Sequence, residues 1–185
     1  MDKIALFGTS ADPPTRGHQI IIKWLSDNFD KVAVWASNNP FKSHHASLEK
    51  RSRMLEILIE EIQPPRDNLL VCEEISSHRT LETVRKAREK WNDGQFTLVA
   101  GSDIVGQLPD WYKIEELLDE VALLVVPRPG YAIEEANLER LRQLGAKVEI
   151  ADLEGPDVSS TAYRQERDTS NLTPAIKDFI GSDLY

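Results

Sequence analysis

Short continuous apolar runs alternate along this chain with amphipathic segments, and this alternation limits the fold more than any other feature. The runs have the length and the β-branched and aromatic content of strands that are buried on both faces. They lie at residues 4–7, 32–36, 69–72, 96–100, 121–126 and 147–151. Each run is therefore predicted to be a strand.

The segments between the runs carry apolar residues at helical spacing. Helices are predicted from near Arg16, at 48–62 behind a Ser47 cap, from Thr80 to residue 91, at 111–118, at 134–144 before Gly145, shortly after Ser160, and at 174–180. Strands that alternate with helices predict an α/β protein, with a mostly parallel sheet, helices on both faces and right-handed crossovers. A length of 185 residues favours one domain over residues 1–185.

The charge balance limits which partners the protein can bind, and the cysteine content and the length of the apolar runs bear on its location in the cell. Lys and Arg number 22 against 31 Asp and Glu, a net charge of -9, which disfavours binding to nucleic acid or to an anionic membrane. Cys72 is the single cysteine, so no disulfide forms within the chain, and no apolar run approaches membrane-spanning length. We expect a cytoplasmic protein that holds any phosphate ligand with local groups.

Residues 8–18 join the first predicted strand to the first predicted helix. Gly17 and His18 fall in the first turn of that helix, where unpaired backbone N–H groups and the positive end of the helix dipole favour phosphate. Gly8 and Gly17 would let an anion approach, and His18 would add a donor. The same residues are equally consistent with a plain turn whose histidine has no role beyond the helix start.

A second stretch with oxyanion-binding character lies near the end of the chain. Ser159 and Ser160 stand at a predicted helix start and Arg164 follows one turn later, so all three side chains can face an oxyanion. Alone, this pattern is also that of an ordinary capped helix. Ligands of parallel sheets bind beyond the carboxyl ends of the strands, which places residues 8–18, 38–45, 101–103 and 159–164 along one rim. The sequence contains neither the dinucleotide glycine fingerprint nor the P-loop pattern.

Taken together and in this order, the two stretches resemble the signatures of the nicotinate (nicotinamide) mononucleotide adenylyltransferase family. Residues 8–18 stand in the place of the family's Gly-Gly-x-Phe-Asp-Pro-x-His-x-Gly-His signature, and residues 158–164 in the place of its Ile-Ser-Ser-Thr-x-x-Arg signature. Further matches lie at residues 39–42, 51–55, 80–84, 101–103, 108–112 and 125–130, so the resemblance covers nearly the whole chain. It implies a Rossmann-like nucleotidyltransferase fold.

The resemblance also implies an activity, the transfer of the adenylyl group of ATP to nicotinate mononucleotide, which gives nicotinate adenine dinucleotide and pyrophosphate in NAD biosynthesis. The mononucleotide phosphate would attack the α-phosphorus of ATP without a covalent enzyme intermediate, so catalysis would need cations and oriented N–H donors. Mg²⁺ is expected to bridge the ATP phosphates, with no dedicated metal site on the protein. A homo-oligomer is left open.

The resemblance implies roles for those residues that match the family's pattern. The candidate catalytic residues are His18, Lys42 and Arg164. The candidate ATP-binding residues are Gly8, Thr9, Ser10, Thr15, Gly17, His18, Gly101, Asp103, Ser159, Ser160 and Arg164. The candidate mononucleotide-binding residues are Lys42, Thr80, Trp111 and Tyr112. The charge of Arg79, beside Thr80, would favour a carboxylate over an amide.

Some positions depart from the signatures. Thr15 replaces the first histidine, Thr9 the second glycine, Ala11 the phenylalanine and Phe41 a histidine. A threonine hydroxyl can donate to a phosphate but carries no charge, so His18 is expected to be the main cation of its stretch. The departures leave two alternatives open. One is the same chemistry on nicotinamide mononucleotide or another phosphate-bearing acceptor, and the other is a nucleotide-binding regulatory protein without turnover.

Overall fold

The computed structural model describes residues 1–38, 43–153, 163–165 and 167–181. Its strands are β1 (Lys3–Thr9), β2 (Lys31–Ala36), β3 (Leu69–Val71), β4 (Gln95–Gly101), β5 (Ala122–Val126) and β6 (Val148–Ile150). They form a six-stranded sheet in the order β3-β2-β1-β4-β5-β6, and all of its neighbouring strands are parallel. Every strand predicted from the apolar runs is confirmed. The strand order reverses between β1 and β4, which is where open parallel sheets bind ligands.

Helices cover both faces of the sheet. They are α1 (Arg16–Asn28), α2 (Leu48–Glu60), α3 (Thr80–Lys90), α4 (Ile114–Glu120), α5 (Glu135–Gln143) and α6 (Pro174–Ile180). The predicted caps are confirmed where they were assigned: the Ser47 side chain accepts the N–H of Lys50 at the start of α2, and Gly145 takes a φ of 104° after α5. Within the described residues, no helix combines the length and the hydropathy that crossing a membrane requires.

The packing of β1 explains why its central residues are apolar at every position and do not alternate with polar residues. Ile4 and Leu6 are buried in a cluster with the apolar faces of α3, α4 and α5. Ala5 and Phe7 are buried on the opposite face with α1, α2 and α6. Because successive strand residues point to opposite faces, a sheet covered on both sides needs apolar residues at every position.

The segment after β4 differs from the predicted helix at 111–118. It contains a 3-10 helix at Val105–Asp110, a turn at 111–113, and only then α4. Lys113 has φ 48° and ψ 49°, a left-handed conformation that cannot belong to a right-handed helix. The helix start was misplaced at Trp111 because this apolar residue fits the pattern of a buried helix face. In the structure it packs against the same apolar cluster as Ile114, the first residue of α4. A smaller difference is that α2 ends at Glu60, before Ile62.

The helix predicted after Ser160 lies partly outside the described residues. Residues 163–165 are helical, and Ser159 and Ser160 lie outside the described residues. The short 3-10 helix at Glu73–Ile75 was not predicted, because three residues are too few to show a periodic pattern.

Candidate active site

The loop from Ser10 to Thr15 joins β1 to α1 at the point where the strand order reverses. Gly8 precedes this loop, and a Cβ on it would lie 2.6 Å from the Trp35 ring of β2, so glycine is required there for packing. At the start of α1, the N–H of Arg16 already donates to the carbonyl of Asn171 at 2.8 Å. This donor of the expected phosphate cradle therefore has a partner within the protein.

The His18 ring is held by hydrogen bonds at both nitrogens. The backbone N–H of Thr15 donates to Nδ1 at 2.9 Å, and Thr15 Oγ1 lies 3.1 Å from the same nitrogen. Thr9 Oγ1 lies 3.0 Å from Nε2. Thr9, Thr15 and His18, which the sequence assigned to ATP binding, are thus brought together at the end of β1.

The protonation of His18 differs from the sequence expectation. Burial lowers the pKa of His18 to about 4, and the positive charge of Arg128 adds to the effect. The N–H of Thr15 acts in the same direction, because Nδ1 can accept this hydrogen bond only while it is unprotonated. In the structure without ligand, His18 is therefore a neutral hydrogen-bond donor near pH 7 and not the main cation of its stretch.

The second signature stretch contacts the first through Arg164. Its Nη1 donates to the backbone carbonyl of Asp12 at 2.7 Å, across 152 positions of sequence. The Asp12 side chain is 2% exposed, and its carboxylate accepts the N–H groups of His45 (2.7 Å) and Ala46 (3.1 Å). Asp12 thus links the loop after β1 to the segment before α2. Its role was missed from the sequence, although it lies inside the first signature.

Arg51 is a second residue whose contribution sequence reasoning missed. Its side chain is 2% exposed and donates to three backbone carbonyls: Ala46 at 3.1 Å, Ser10 at 2.9 Å and Ser37 at 2.8 Å. These carbonyls belong to the loops after β1 and β2 and to the segment before α2. The signal in the sequence was an arginine on the buried face of an amphipathic helix, where a charge is rare unless it has partners.

Asp103 and Arg128 form an ion pair beyond the ends of β4 and β5. Arg128 Nη1 lies 3.0 Å from Asp103 Oδ2, and the Arg128 N–H donates to Ser102 Oγ at 2.8 Å. A Cβ on Gly101 would collide with Asp103 Oδ1, so this glycine makes room for the carboxylate. Arg128 lies in the matched segment 125–130 but was not among the predicted site residues, because its partners Ser102 and Asp103 are distant in the sequence.

Two of the predicted mononucleotide residues, Thr80 and Tyr112, lie together on the same rim. Thr80 is the first residue of α3, and the Arg79 guanidinium lies 3.8 Å from the centre of the Tyr112 ring. Lys113 Nζ lies 5.4 Å from the same ring centre. Tyr112 is 41% exposed, whereas Trp111 is half-buried against the apolar core. The structure thus brings Thr80 and Tyr112 to one surface, and Lys42 lies outside the described residues.

Comparisons with known proteins add to this geometry. A family model described as cytidylyltransferase-like matches residues 6–166. A protein of Synechocystis sp. described as a probable nicotinate-nucleotide adenylyltransferase is 40% identical over 191 residues, which cover 96% of this chain and 96% of that protein. A protein of Bacillus cereus with the same description is 34% identical over 142 residues, covering 72% of this chain and 73% of that protein.

A solved structure supports the fold. The nicotinic acid mononucleotide adenylyltransferase of Plasmodium falciparum complexed with NaAD superposes with a TM-score of 0.82 at 20% identity. The alignment covers 97% of this chain and 95% of that one. The Rossmann-like nucleotidyltransferase fold that was expected from the sequence is confirmed.

Proposed function

The chain belongs to the cytidylyltransferase-like family, and we propose that it has the activity for which its nicotinate-nucleotide adenylyltransferase relatives are named. It transfers the adenylyl group of ATP to nicotinate mononucleotide and releases nicotinate adenine dinucleotide and pyrophosphate, a step of NAD biosynthesis. The observation that carries this function is the 40% identity over 96% of the chain. The contact of Arg164 with Asp12, which joins the two signature stretches in space, supports it.

The reaction requires positioning and charge stabilisation but no protein nucleophile. A phosphate oxygen of the mononucleotide forms a bond to the α-phosphorus of ATP, and the bond to pyrophosphate breaks. His18 would stabilise the transferring group with its Nε2–H, Lys42 would supply charge, and Arg164 would supply both charge and a planar set of donors. The contact with the Asp12 carbonyl orients the Arg164 guanidinium.

The carboxylates near the loop after β1 already have partners within the protein, which favours a metal that arrives bound to ATP. The Asp12 carboxylate is already bonded to two backbone N–H groups, and the Asp103 carboxylate is paired with Arg128. Among the described residues, no group of three or more His, Cys, Asp or Glu side chains could hold a metal ion. When bound, Mg²⁺ would neutralise part of the charge on the ATP phosphates, and the protein would hold the phosphates themselves.

Asp103 is the candidate acceptor for ribose hydroxyls of ATP. It lies beyond the end of β4, beside the reversal of strand order where nucleotides bind in this class of sheet. Its pairing with Arg128 holds the carboxylate in place before ligand binds. A ribose hydroxyl would then either share this carboxylate with Arg128 or displace it.

The Tyr112 cluster (Arg79, Tyr112 and Lys113) supports nicotinate over nicotinamide as the base. A pyridine ring can stack on an exposed aromatic ring, and Tyr112 provides such a ring on the rim, whereas Trp111 is half-buried against the core. Arg79 places a positive charge beside Tyr112, whereas Lys113 lies 4.0 Å from Glu116 and is partly neutralised. This charge attracts the carboxylate of nicotinate, whereas the amide of nicotinamide is uncharged.

The proposed function is tested by offering both acceptors to the purified protein with ATP and Mg²⁺. We expect pyrophosphate release to depend on the mononucleotide and kcat/KM to be higher for nicotinate mononucleotide. A preference for nicotinamide mononucleotide would overturn the assignment of the acceptor. ATP binding without pyrophosphate release for either acceptor would overturn the activity and indicate a regulatory nucleotide-binding protein.

A further inference from the structure

The two hydrogen bonds on the His18 ring determine its tautomer. A backbone N–H can only donate, so the 2.9 Å contact from Thr15 requires a lone pair on Nδ1. The single proton of the neutral ring is then on Nε2, and it points at Thr9 Oγ1, 3.0 Å away. Each ring nitrogen thus has a defined role before any ligand binds.

We propose that His18 acts on the substrate phosphates as a neutral imidazole, with its tautomer fixed by the Thr15 N–H, and that Thr9 is a positioning residue that aims Nε2–H. Thr9 would accept this hydrogen bond until a phosphate oxygen replaces it. The exchange of acceptors rests on the proposed function, because that function supplies the phosphate. The tautomer does not depend on it.

The backbone around Thr9 and Thr15 makes the arrangement rigid. Thr9 is the last residue of β1 and pairs with Ala36 of β2, and its carbonyl accepts the N–H of Ser37 at 2.8 Å. Thr15 is 1% exposed and directly precedes α1. Both partners of the ring are therefore fixed by the ends of regular elements, and neither depends on a flexible surface side chain.

The charges around His18 do not favour a proton on Nδ1. Arg128, from the segment after β5, disfavours a positive ring, and burial does so more strongly, since together they lower the pKa of His18 to about 4. Asp103, after β4, forms an ion pair with Arg128 at 3.0 Å. The carboxylate of Asp12, in the loop beside His18, is bonded to the N–H groups of His45 and Ala46.

A phosphate oxygen is a better acceptor than a hydroxyl, because a charged acceptor strengthens the hydrogen bond. On binding, Nε2–H would turn from Thr9 to the phosphate, and the Thr15 N–H would stay on Nδ1. No proton is gained or lost in this step. Thr9 stands where the family resembled by the sequence has a glycine, so the hydroxyl that accepts from Nε2–H is a feature of this chain, whereas the N–H that donates to Nδ1 belongs to the backbone.

The tautomer is tested on the ligand-free protein by ¹⁵N NMR of labelled histidine, with the His18 signals assigned by their loss in His18→Gln. At pH 7 we expect a proton on Nε2 and an unprotonated Nδ1. A proton on Nδ1, or protons on both nitrogens, would overturn the proposal. This measurement needs no activity, so its failure is distinguishable from failure of the proposed function.

The positioning role is tested with Thr9→Val, which removes the hydroxyl and keeps the branched shape, and with Thr9→Ser, which keeps the hydroxyl. We expect Thr9→Val to lower kcat about tenfold with little change in KM for ATP, and Thr9→Ser to recover most of that loss. The His18 tautomer should be unchanged in Thr9→Val, because Thr15 sets it. Full activity in Thr9→Val, or equal losses in both variants, would contradict the positioning role.

The pH profile provides an independent test. A neutral donor predicts that kcat does not fall between pH 7 and 8.5 through His18, whereas an imidazolium would lose its proton and its activity as pH rises. An alkaline loss of kcat in wild type that is absent from His18→Gln would therefore overturn the neutral form.

Discussion

Two regions lie on the same rim of the sheet but are built in different ways. One is the β1–α1 loop (residues 10–15) together with His18, and the other is the Tyr112 cluster. Around the loop, Thr15 is 1% exposed, and Asp12 and Arg51 are each 2% exposed, and their partners are largely backbone groups. In the Tyr112 cluster, Tyr112 is 41% exposed and is held by contacts with long charged side chains.

This difference assigns different tasks to the two regions. A phosphate-transfer site gains from donors that are fixed before the substrate arrives, because they need no reorganisation during the reaction. An exposed cation beside an aromatic ring contributes less energy and can adjust to the substrate. We therefore expect changes near the loop to affect kcat or stability strongly, and changes in the Tyr112 cluster to affect the choice of acceptor.

The largest effect is expected for His18→Gln. It should lower kcat by about 10²- to 10³-fold, as for other preorganised donors that stabilise developing charge. His78 is exposed and contacts only the carbonyl of Asn38 in the described part of the chain, so His78→Gln serves as the control. Steady-state kinetics with both variants measure the effect, and a folded His18→Gln protein with wild-type kcat would remove His18 from the site.

The next effect is on stability. Arg51→Met should lower the free energy of unfolding by roughly 3 kcal/mol, because it leaves one buried and two part-buried carbonyls without this donor. Arg53 on the same helix is exposed and pairs with Glu56 at 2.7 Å, so Arg53→Met should leave stability nearly unchanged. Urea unfolding of the two variants gives the comparison. Equal stabilities would mean that Arg51 does not hold the loops together.

A smaller effect is expected in the Tyr112 cluster. Arg79→Gln should lower the ratio of kcat/KM for nicotinate to nicotinamide mononucleotide by roughly two- to fivefold, the effect of one exposed charge. Arg142→Gln on α5, which removes an exposed ion pair with Glu135, is the matched control. An unchanged ratio in Arg79→Gln would show that the preference comes from elsewhere in the site.

A further effect is expected on the pH dependence of stability through His18. Its pKa is lowered to about 4 in the folded protein, mainly by burial, from 6.5 in the unfolded chain. The unfolded chain therefore binds more protons between these values. As a result, protonation of residue 18 does not lower the free energy of unfolding above pH 6.5, and it lowers this free energy increasingly as pH falls from 6.5 toward 4. The free energies of unfolding of wild type and His18→Gln at pH 4.5 and 7 should show a shallower slope for the variant. Parallel slopes would contradict the lowered pKa.

Much of the fold could be predicted because burial leaves a direct record in the sequence. Residues 4–7 and 121–126 are apolar throughout, since both faces of their strands are covered. The left-handed Lys113 left no such record, because lysine has no preference for that conformation, and so the start of α4 was misplaced.

The candidate site was predicted less completely than the fold. The signatures identified His18 and Arg164, whereas Arg51 and Arg128 were missed because their partners come from distant parts of the chain. The neutral state of His18 had a local signal: Thr15 and His18 have the spacing of a capping box, in which the third helical residue bonds back to the cap. Glutamate or glutamine is usual at that position, which is why the pattern was not recognised.

The central claim is that the chain joins ATP to nicotinate mononucleotide through a site that is fixed before substrate binds. One measurement tests it most directly: pyrophosphate and nicotinate adenine dinucleotide are followed together in a reaction of the purified protein with ATP, Mg²⁺ and nicotinate mononucleotide. We expect the two products in equal amounts with wild type and almost none with His18→Gln. A folded wild-type protein that binds ATP and forms neither product would contradict the account.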